Sequence, residues 1–338
     1  MIWRGIELCC PSCRDDLEES GDTELELRCR RCESRFPVIL GIPDLRVFSD
    51  PYVDVETDRA KGRKLAERFD DFDFAGLVEH YYRETPVVTA AQARAFTGGQ
   101  IAAEARARAT FEAWEGMPPA SPRNAALLEI GCGTGPMLLA ARDRYAHVAG
   151  IDIAFRWLVV GKKRLLEAGA DVPTICACAE ALPFPDARVD VIVGDAVIEN
   201  VKDQVRTLSE AHRVLRPGGR IHLTTSNRFS LGPDAQTGIW AAGWLPRGFV
   251  EARVRRSGAI PPRRTLFSAP AIRSLLRGAG FGQVTLGLPS FPAAQRAQFP
   301  PLVRQIAALY ELTTRLPLTR QALFAIGPKL MAGGVKGA

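Results

Sequence analysis

Four cysteines near the N-terminus have the spacing of a metal site. Cys10-Pro-Ser-Cys13 and Cys29-Arg-Arg-Cys32 are two C-x-x-C pairs with fifteen residues between them. Each knuckle points two thiolates at one ion, and two knuckles complete the tetrahedron that zinc prefers. Sulfur in all four positions leaves no place for a reacting water, so the expected Zn2+ is structural. Five of the eight cysteines fall in the first 32 residues, and Cys9 is the spare. Disulfides are the competing use of these thiols, and a reducing compartment disfavours them.

A second constellation lies a hundred residues on. The apolar run Ala125–Ile130 enters Gly131-Cys132-Gly133-Thr134-Gly135, and Pro136-Met-Leu-Leu-Ala-Ala141 then opens a helix. Glycines let a backbone turn sharply and approach a ligand without a Cβ in the way. Proline suits the first helical turn, where its missing N–H has no partner. Another apolar run, Val148–Ile151, ends in Asp152, about twenty residues past the loop, where an acid grips ribose hydroxyls in nucleoside-binding sheets. The loop is G-x-G-x-G and lacks the G-x-G-x-x-G dinucleotide fingerprint.

These groups need elements to hold them. The chain has 338 residues, 46% hydrophobic and 24% charged, enough for about two domains with ample core. No uncharged apolar run is long enough to span a bilayer. The start, Met1-Ile2-Trp3-Arg4-Gly5, has no signal-peptide character, so a cytoplasmic protein is expected. The charge is uneven: Leu245 to Ala338 holds 14 Lys/Arg against Glu251 and Glu311, while the rest is net acidic by six. A basic end fits an anionic partner, although only seven of the 44 basic residues are Lys, which also fits plain compositional bias. Ala90–Trp114 reads as one surface helix with Ala107, Phe111 and Trp114 on its apolar side. Met117–Pro122 breaks it and marks a boundary. Before them, Tyr81-Tyr82 reads as core packing or as a lid over the site.

Two resemblances add to this reading. Phe36-Pro-Val-Ile-Leu-Gly-Ile-Pro-Asp-Leu45 resembles the tail of small zinc ribbons similar to the tRNA-methyltransferase activator protein, over about residues 6–46. Leu127-Leu-Glu-Ile-Gly-Cys-Gly-Thr-Gly135 is similar to the first motif of class I methyltransferases that use S-adenosylmethionine (AdoMet). Ala179-Glu-Ala-Leu-Pro-Phe-Pro185, Val189–Val193, Glu210-Ala-His-Arg-Val-Leu-Arg-Pro-Gly-Gly-Arg220 and Thr225-Ser-Asn-Arg228 resemble its later blocks in order. The core resembles the ubiquinone/menaquinone-type, small-molecule group. The resemblance implies an α/β fold with a Rossmann-like, seven-stranded class I methyltransferase sheet. Strands six and seven are expected near Gln283–Gly287 and Leu330–Val335. The expected organisation is a zinc ribbon over 1–48, a helical linker and lid over 49–120, and the AdoMet domain over 121–338. Helical insertions are expected at about 229–264 and 292–327.

The same resemblance implies roles. Gly131, Cys132, Gly133 and Gly135 form the turn under the methionine part of AdoMet, with Glu129 bracing it. Asp152 takes the ribose diol and Ile153 packs on adenine. Cys178, Ala179 and Glu180 meet the adenine edge, Cys178 standing where the family carries Asp. If the acceptor is a hydroxyl or amine, a base must take its proton. Candidates are Asp195, Glu199, Asn200, Tyr81 and Tyr82, with Asp195 also at the cofactor. Relatives often carry His where this chain has Asn200. His212 and His222 read as structural. The expected activity is AdoMet-dependent methylation of a small or amphipathic metabolite. The alternatives are rRNA or tRNA base methylation, with nucleic acid as partner, and use of AdoMet itself as substrate by internal cyclisation. An amphipathic helix on a membrane surface is a further reading of Leu302–Leu316. Because the cofactor motifs and the cysteines fall in different domains, loss of the ribbon is expected to leave AdoMet binding intact.

Overall fold

A computed structural model describes residues 1–21, 25–85, 90–115, 124–234, 236–291, 296–297, 299–314 and 316–337. Near the N-terminus, β1 (Ile2–Trp3) and β2 (Ile6–Glu7) form a short hairpin. After it, β3 (Leu17–Ser20), β4 (Glu26–Cys29), β5 (Arg35–Ile39) and β6 (Ile42–Pro43) make an antiparallel meander. Alternation along β4 buries Leu27 and Cys29 on one face.

Four helices follow. Asp54 caps α1 (Val55–Glu67) by accepting the Thr57 N–H at 2.8 Å, and Asp73 caps α2 (Phe74–Arg83) through the Gly76 N–H at 2.7 Å. The expected single helix over Ala90–Trp114 is two, α3 (Ala90–Ile101) and α4 (Ala103–Glu115). The break at Ala102 follows Gly98-Gly99, a pair that weakens a helix by its backbone freedom. Within α4 the expected amphipathic pattern holds, with Arg108 and Glu112 exposed and Ala107 buried. Phe111 and Trp114 are buried with Leu127, Met137 and Tyr145. The Met117–Pro122 breaker lies outside the described residues.

The remaining elements alternate strand and helix. They run β7 (Ala126–Ile130), α5 (Pro136–Ala141), β8 (His147–Asp152), α6 (Phe155–Glu167), β9 (Thr174–Cys176), β10 (Val189–Asp195), α7 (Gln204–Val214) and β11 (Leu215–Ser226). Next come α8 (Arg247–Arg256), α9 (Ala269–Gly278), β12 (Phe281–Gly287), α10 (Pro301–Thr313), α11 (Pro317–Ile326) and β13 (Lys329–Lys336). Seven strands form one sheet in the order β12-β13-β11-β10-β7-β8-β9. All are parallel except β13, which runs antiparallel to both neighbours. This is the seven-stranded class I methyltransferase sheet expected from the motifs. Strands buried on both faces read as continuous apolar runs, as Val191-Ile-Val193 does. Among the described residues, no helix is long and apolar enough to cross a membrane.

The ribbon docks on the β9 edge of this sheet. Leu8, Leu17, Leu27, Phe36 and Leu45 share one apolar cluster with Ile175, Leu182 and Phe184. Asp44 bridges Cys176 in parallel, the Leu45 N–H donates to Cys176 O at 2.7 Å, and the Cys9 N–H donates to Pro183 O at 3.0 Å. A module too small for its own core thus borrows one, and covers an edge strand that would otherwise stand open.

Candidate functional site

The knuckles bring four sulfurs together. The Sγ atoms of Cys10, Cys13, Cys29 and Cys32 all lie within 4.8 Å of one another. Cys10 stands 3.6 Å from Cys32, and Cys13 stands 3.4 Å from Cys29. Tetrahedral zinc with Zn–S bonds of about 2.3 Å needs sulfurs about 3.8 Å apart, so the donor set fits that ion. The Ser34 hydroxyl beside Cys32 pulls its thiol down to about 6, toward the thiolate that a metal requires. Cys9 is buried outside the set.

The glycine loop joins β7 to α5 at the carboxyl end of the sheet. Gly131, Gly133 and Gly135 all have positive φ (72°, 50° and 76°), where a side chain is strained. A Cβ on Gly131 would stand 2.6 Å from Val197 Cγ2. The Gly131 and Cys132 N–H groups both donate to Ile151 O, at 2.8 and 2.9 Å, which ties the loop to β8. Asp152 closes the same turn: Oδ2 accepts the Gly133 N–H and Oδ1 the Ala154 N–H, each at 2.8 Å. Burial pushes its carboxyl up, and the two donors oppose that. Behind the loop, Gly161 of α6 lies where a Cβ would be 2.9 Å from the Thr134 backbone. Sequence reading passed over Gly161, although a glycine inside an apolar helix is itself a signal of close packing.

A cavity of about 210 Å³ opens beside the loop. Its wall includes Gly131, Asp152, Ile153, Ala179, Glu180, Asp195 and Asn200 from the expected set. It also includes Phe48, Ser49 and Pro51, which sequence reading missed. These three belong to the strap that leaves the ribbon, and a buried ion network fixes that strap. Arg46 donates to both Asp44 oxygens and to Asp58 at 2.7 Å, and to Ile153 O at 3.1 Å. The side chains of all three charged residues are fully buried. The quoted zinc-ribbon motif ends at Leu45, so its residues marked neither Arg46 nor Phe48.

The other candidates differ in what holds them. Glu129 is buried, with Oε2 lacking a hydrogen-bond partner among the described residues. Burial holds its carboxyl well above the usual range, and Asp195 and Asp152 raise it further. The Oδ1 of Asp195 accepts the Thr224 hydroxyl and lies 3.9 Å from Lys329 Nζ. Glu199 is spent on the fold: one oxygen takes the Thr225 hydroxyl at 2.9 Å and the other the Ser226 N–H at 3.1 Å. Glu180 accepts the Lys202 and Asp203 N–H groups at 2.8 and 3.2 Å, at the start of α7. Asn200 donates to Ala196 O at 2.7 Å. Cys178 is buried, its Sγ 3.5 Å from Phe48 O, and burial lifts its thiol to about 11. Cys132 is buried against Gly150 and is not part of the cavity wall.

Tyr81 and Tyr82 sit on α2 and pack on Trp157 of α6, with centroids 4.7 and 5.8 Å away. Neither belongs to the wall of the cavity. Burial lifts the Tyr82 phenol to about 12, near Gln100, whose Oε1 accepts the Thr134 hydroxyl at 2.9 Å. His212 rests edge-on against Phe281, and His222 is buried in β11 beside Trp114.

The sheet order, the glycine loop and the acid ending β8 together define the fold of a class I methyltransferase. Residues 128–223 match the family described as methyltransferase domain. The chain is 32% identical over 127 residues to the ubiquinone biosynthesis O-methyltransferase of Idiomarina loihiensis, covering 36% of this chain and 51% of that protein. It is 29% identical over 164 residues to the demethylmenaquinone methyltransferase of Thermus thermophilus, covering 46% and 73%. The chain thus spans about half the length of the first relative. Among solved structures, an S-adenosylmethionine-dependent methyltransferase from Mesorhizobium loti is similar at 19% identity and a TM-score of 0.45, covering 68% of this chain and 98% of that one.

Proposed function

We propose that this protein transfers a methyl group from AdoMet to a small or amphipathic acceptor. One observation carries the reading: the cleft beside the glycine loop is lined by Asp152, Glu180 and Asp195, and next to the loop the buried Glu129 carboxyl keeps one oxygen, Oε2, without a partner among the described residues. The acidic side chains of the wall, Asp152 and Asp195 among them, would repel the phosphates of a dinucleotide. A nucleoside bearing a sulfonium and an ammonium relieves their repulsion. Gly133 adds room, since nothing but Asp152 Oδ2, at 4.0 Å, meets the position of its Cβ. Bound AdoMet supplies a methyl group already activated on sulfur.

The chain's own residues then bind, orient and exclude water. Asp152 takes the ribose diol while its backbone donors keep it aimed. Ile153 and Phe48 flank the base, and Gly131 keeps the turn open. Cys178 holds Phe48 through its backbone, where the family's Asp reaches adenine. The acceptor must lie in line with the breaking bond, and Asp195 is the carboxylate placed to receive its proton. Glu199 holds the end of β11, and Asn200 fixes the wall opposite. Tyr81 and Tyr82 act as packing for α6. The four cysteines hold one Zn2+ that folds the ribbon, in the cytoplasm, where thiolates stay reduced. Ribbon (1–48), helical linker (49–120) and transferase (121–338) form the proposed organisation. The quinone-biosynthesis names of the relatives support an acceptor with a polar ring and a lipid tail.

Incubation with methyl-labelled AdoMet and a fractionated metabolite extract tests the reading. Label should enter an organic-soluble product, with S-adenosylhomocysteine released alongside. Label confined to RNA, or a product built from AdoMet alone, would refute it.

A further inference from the structure

Two segments rise from the carboxyl end of the sheet, and both turn apolar side chains outward. β13 begins at Lys329, whose pairing with Ser226 places it at the end of β11. Lys329 Nζ lies 3.9 Å from Asp195 at the cavity wall. The segment carrying α10 and α11 therefore springs from the rim of the site. One side of α10 buries Ala307 and Tyr310, whose hydroxyl donates to Pro289 O at 2.8 Å. At 100° per residue, Leu309 and Leu312 lie 100° and 160° round the helix from Tyr310, and Leu302 and Ile306 continue the same stripe toward the buried side. That stripe is open: Leu309 and Leu312 are each 61% exposed. Leu316 and Leu318 follow, Leu318 at 88%. A surface helix normally turns polar residues to water, and a contiguous apolar face marks something it meets.

Charge says what that is. Glu311 is the one acid in the sequence of the two helices, and its carboxylate accepts the Phe291 N–H. Arg304 and Arg320 are their cations, within the end of the chain that holds 14 Lys/Arg against two acids. A second copy of this chain would present the same positive charge and be repelled. A surface with anionic headgroups over an apolar interior satisfies both features. The other insertion agrees. Trp244 donates its indole N–H to Phe229 O yet stays 55% exposed, the amphipathic placement favoured at a lipid interface. The two insertions meet at their roots, where Asn227 Nδ2 donates to Ala325 O at 3.1 Å and the Leu231 N–H to Ile326 O at 3.2 Å.

We propose that the α10–α11 hairpin seats this protein on an anionic lipid bilayer, with the cavity rim facing the membrane. The consequence for the acceptor, that it is an amphiphile collected from the bilayer surface, rests on the methyl-transfer reading; the seating does not. The test is co-sedimentation of the full chain with phosphatidylcholine vesicles, with and without phosphatidylglycerol. Binding should need phosphatidylglycerol and weaken at high salt. The double substitution Leu309→Gln, Leu312→Gln should weaken it about tenfold or more, since two side chains no longer enter the acyl region. Both positions are exposed, and unchanged AdoMet binding by calorimetry would show the variant intact. A parent indifferent to phosphatidylglycerol overturns the proposal, as does a variant that binds like the parent. So does a dimer in light scattering that the double substitution abolishes, or binding to RNA and not to vesicles. A protein that transfers methyl groups but ignores vesicles fails this inference alone. One that binds vesicles but not AdoMet fails the functional reading alone.

Discussion

Asp152→Ala is the sharpest probe of the cofactor site. The carboxylate has room for about four hydrogen bonds, and the Gly133 and Ala154 N–H groups occupy one on each oxygen. One acceptor position per oxygen remains for the two ribose hydroxyls. Hydrogen bonds to a charged group are worth roughly 1.5–3 kcal/mol each. Losing both should weaken AdoMet by about two orders of magnitude or more, at 1.4 kcal/mol per factor of ten. Truncation also leaves the Gly133 N–H without its partner, so the loop loosens as well. Asp152→Asn should recover little, because either orientation of its amide sets an NH2 group against one of the two backbone donors. Gly133→Val should be as harmful for another reason: a branched Cβ at φ of 50° is strained and fills the space beside Asp152. Calorimetric titration reads all of this, with circular dichroism confirming the fold. Unchanged AdoMet affinity in Asp152→Ala and Gly133→Val, or tight NADH binding by the parent, would refute the reasoning.

The purified protein should carry one zinc per chain, and elemental analysis showing none in protein prepared without chelator would sink that expectation. The motifs alone implied that Cys29→Ser spares the cofactor site. The strap from Asp44 to Pro51 reverses this: Phe48, Ser49 and Pro51 form cavity wall, so loss of the ribbon should weaken AdoMet binding too, and an unchanged dissociation constant would count against the coupling. His222 gives a pH test. Burial lowers its pKa to about 4, while the unfolded chain titrates near 6.5. The native state therefore refuses a proton that the unfolded state accepts, and stability is full above about 6.5 and falls toward 4. By pH 5 the loss should be about 2 kcal/mol. Denaturant melts at pH 7 and pH 5 should show this drop, and His222→Leu should abolish it. An equal drop in the variant assigns the effect elsewhere.

Much of this protein was legible in one dimension because its signals are local. A C-x-x-C knuckle is a turn of four residues, and the glycine loop with its proline-led helix is set by backbone sterics. The apolar runs at β7, β8 and β10 announce strands buried on both faces. Tertiary structure decided what depends on neighbours distant in sequence. Phe111 and Trp114 read correctly as the apolar side of a surface helix, but which residues that side meets, Leu127, Met137 and Tyr145, only packing decided. Glu199 looked like a base, and the arrival of Thr225 and Ser226 makes it a brace. Tyr81 and Tyr82 read as core packing or as a lid, and their packing on Trp157 of α6 favours the first. Arg46 carried no signal at all. Its meaning rests on Asp58 and on Ile153, 12 and 107 residues away, which no local spacing encodes. A knuckle or a turn closes within a few residues, so its residue types suffice. A buried charge is defined by whichever partners the fold brings to it, and those are settled only when the chain packs.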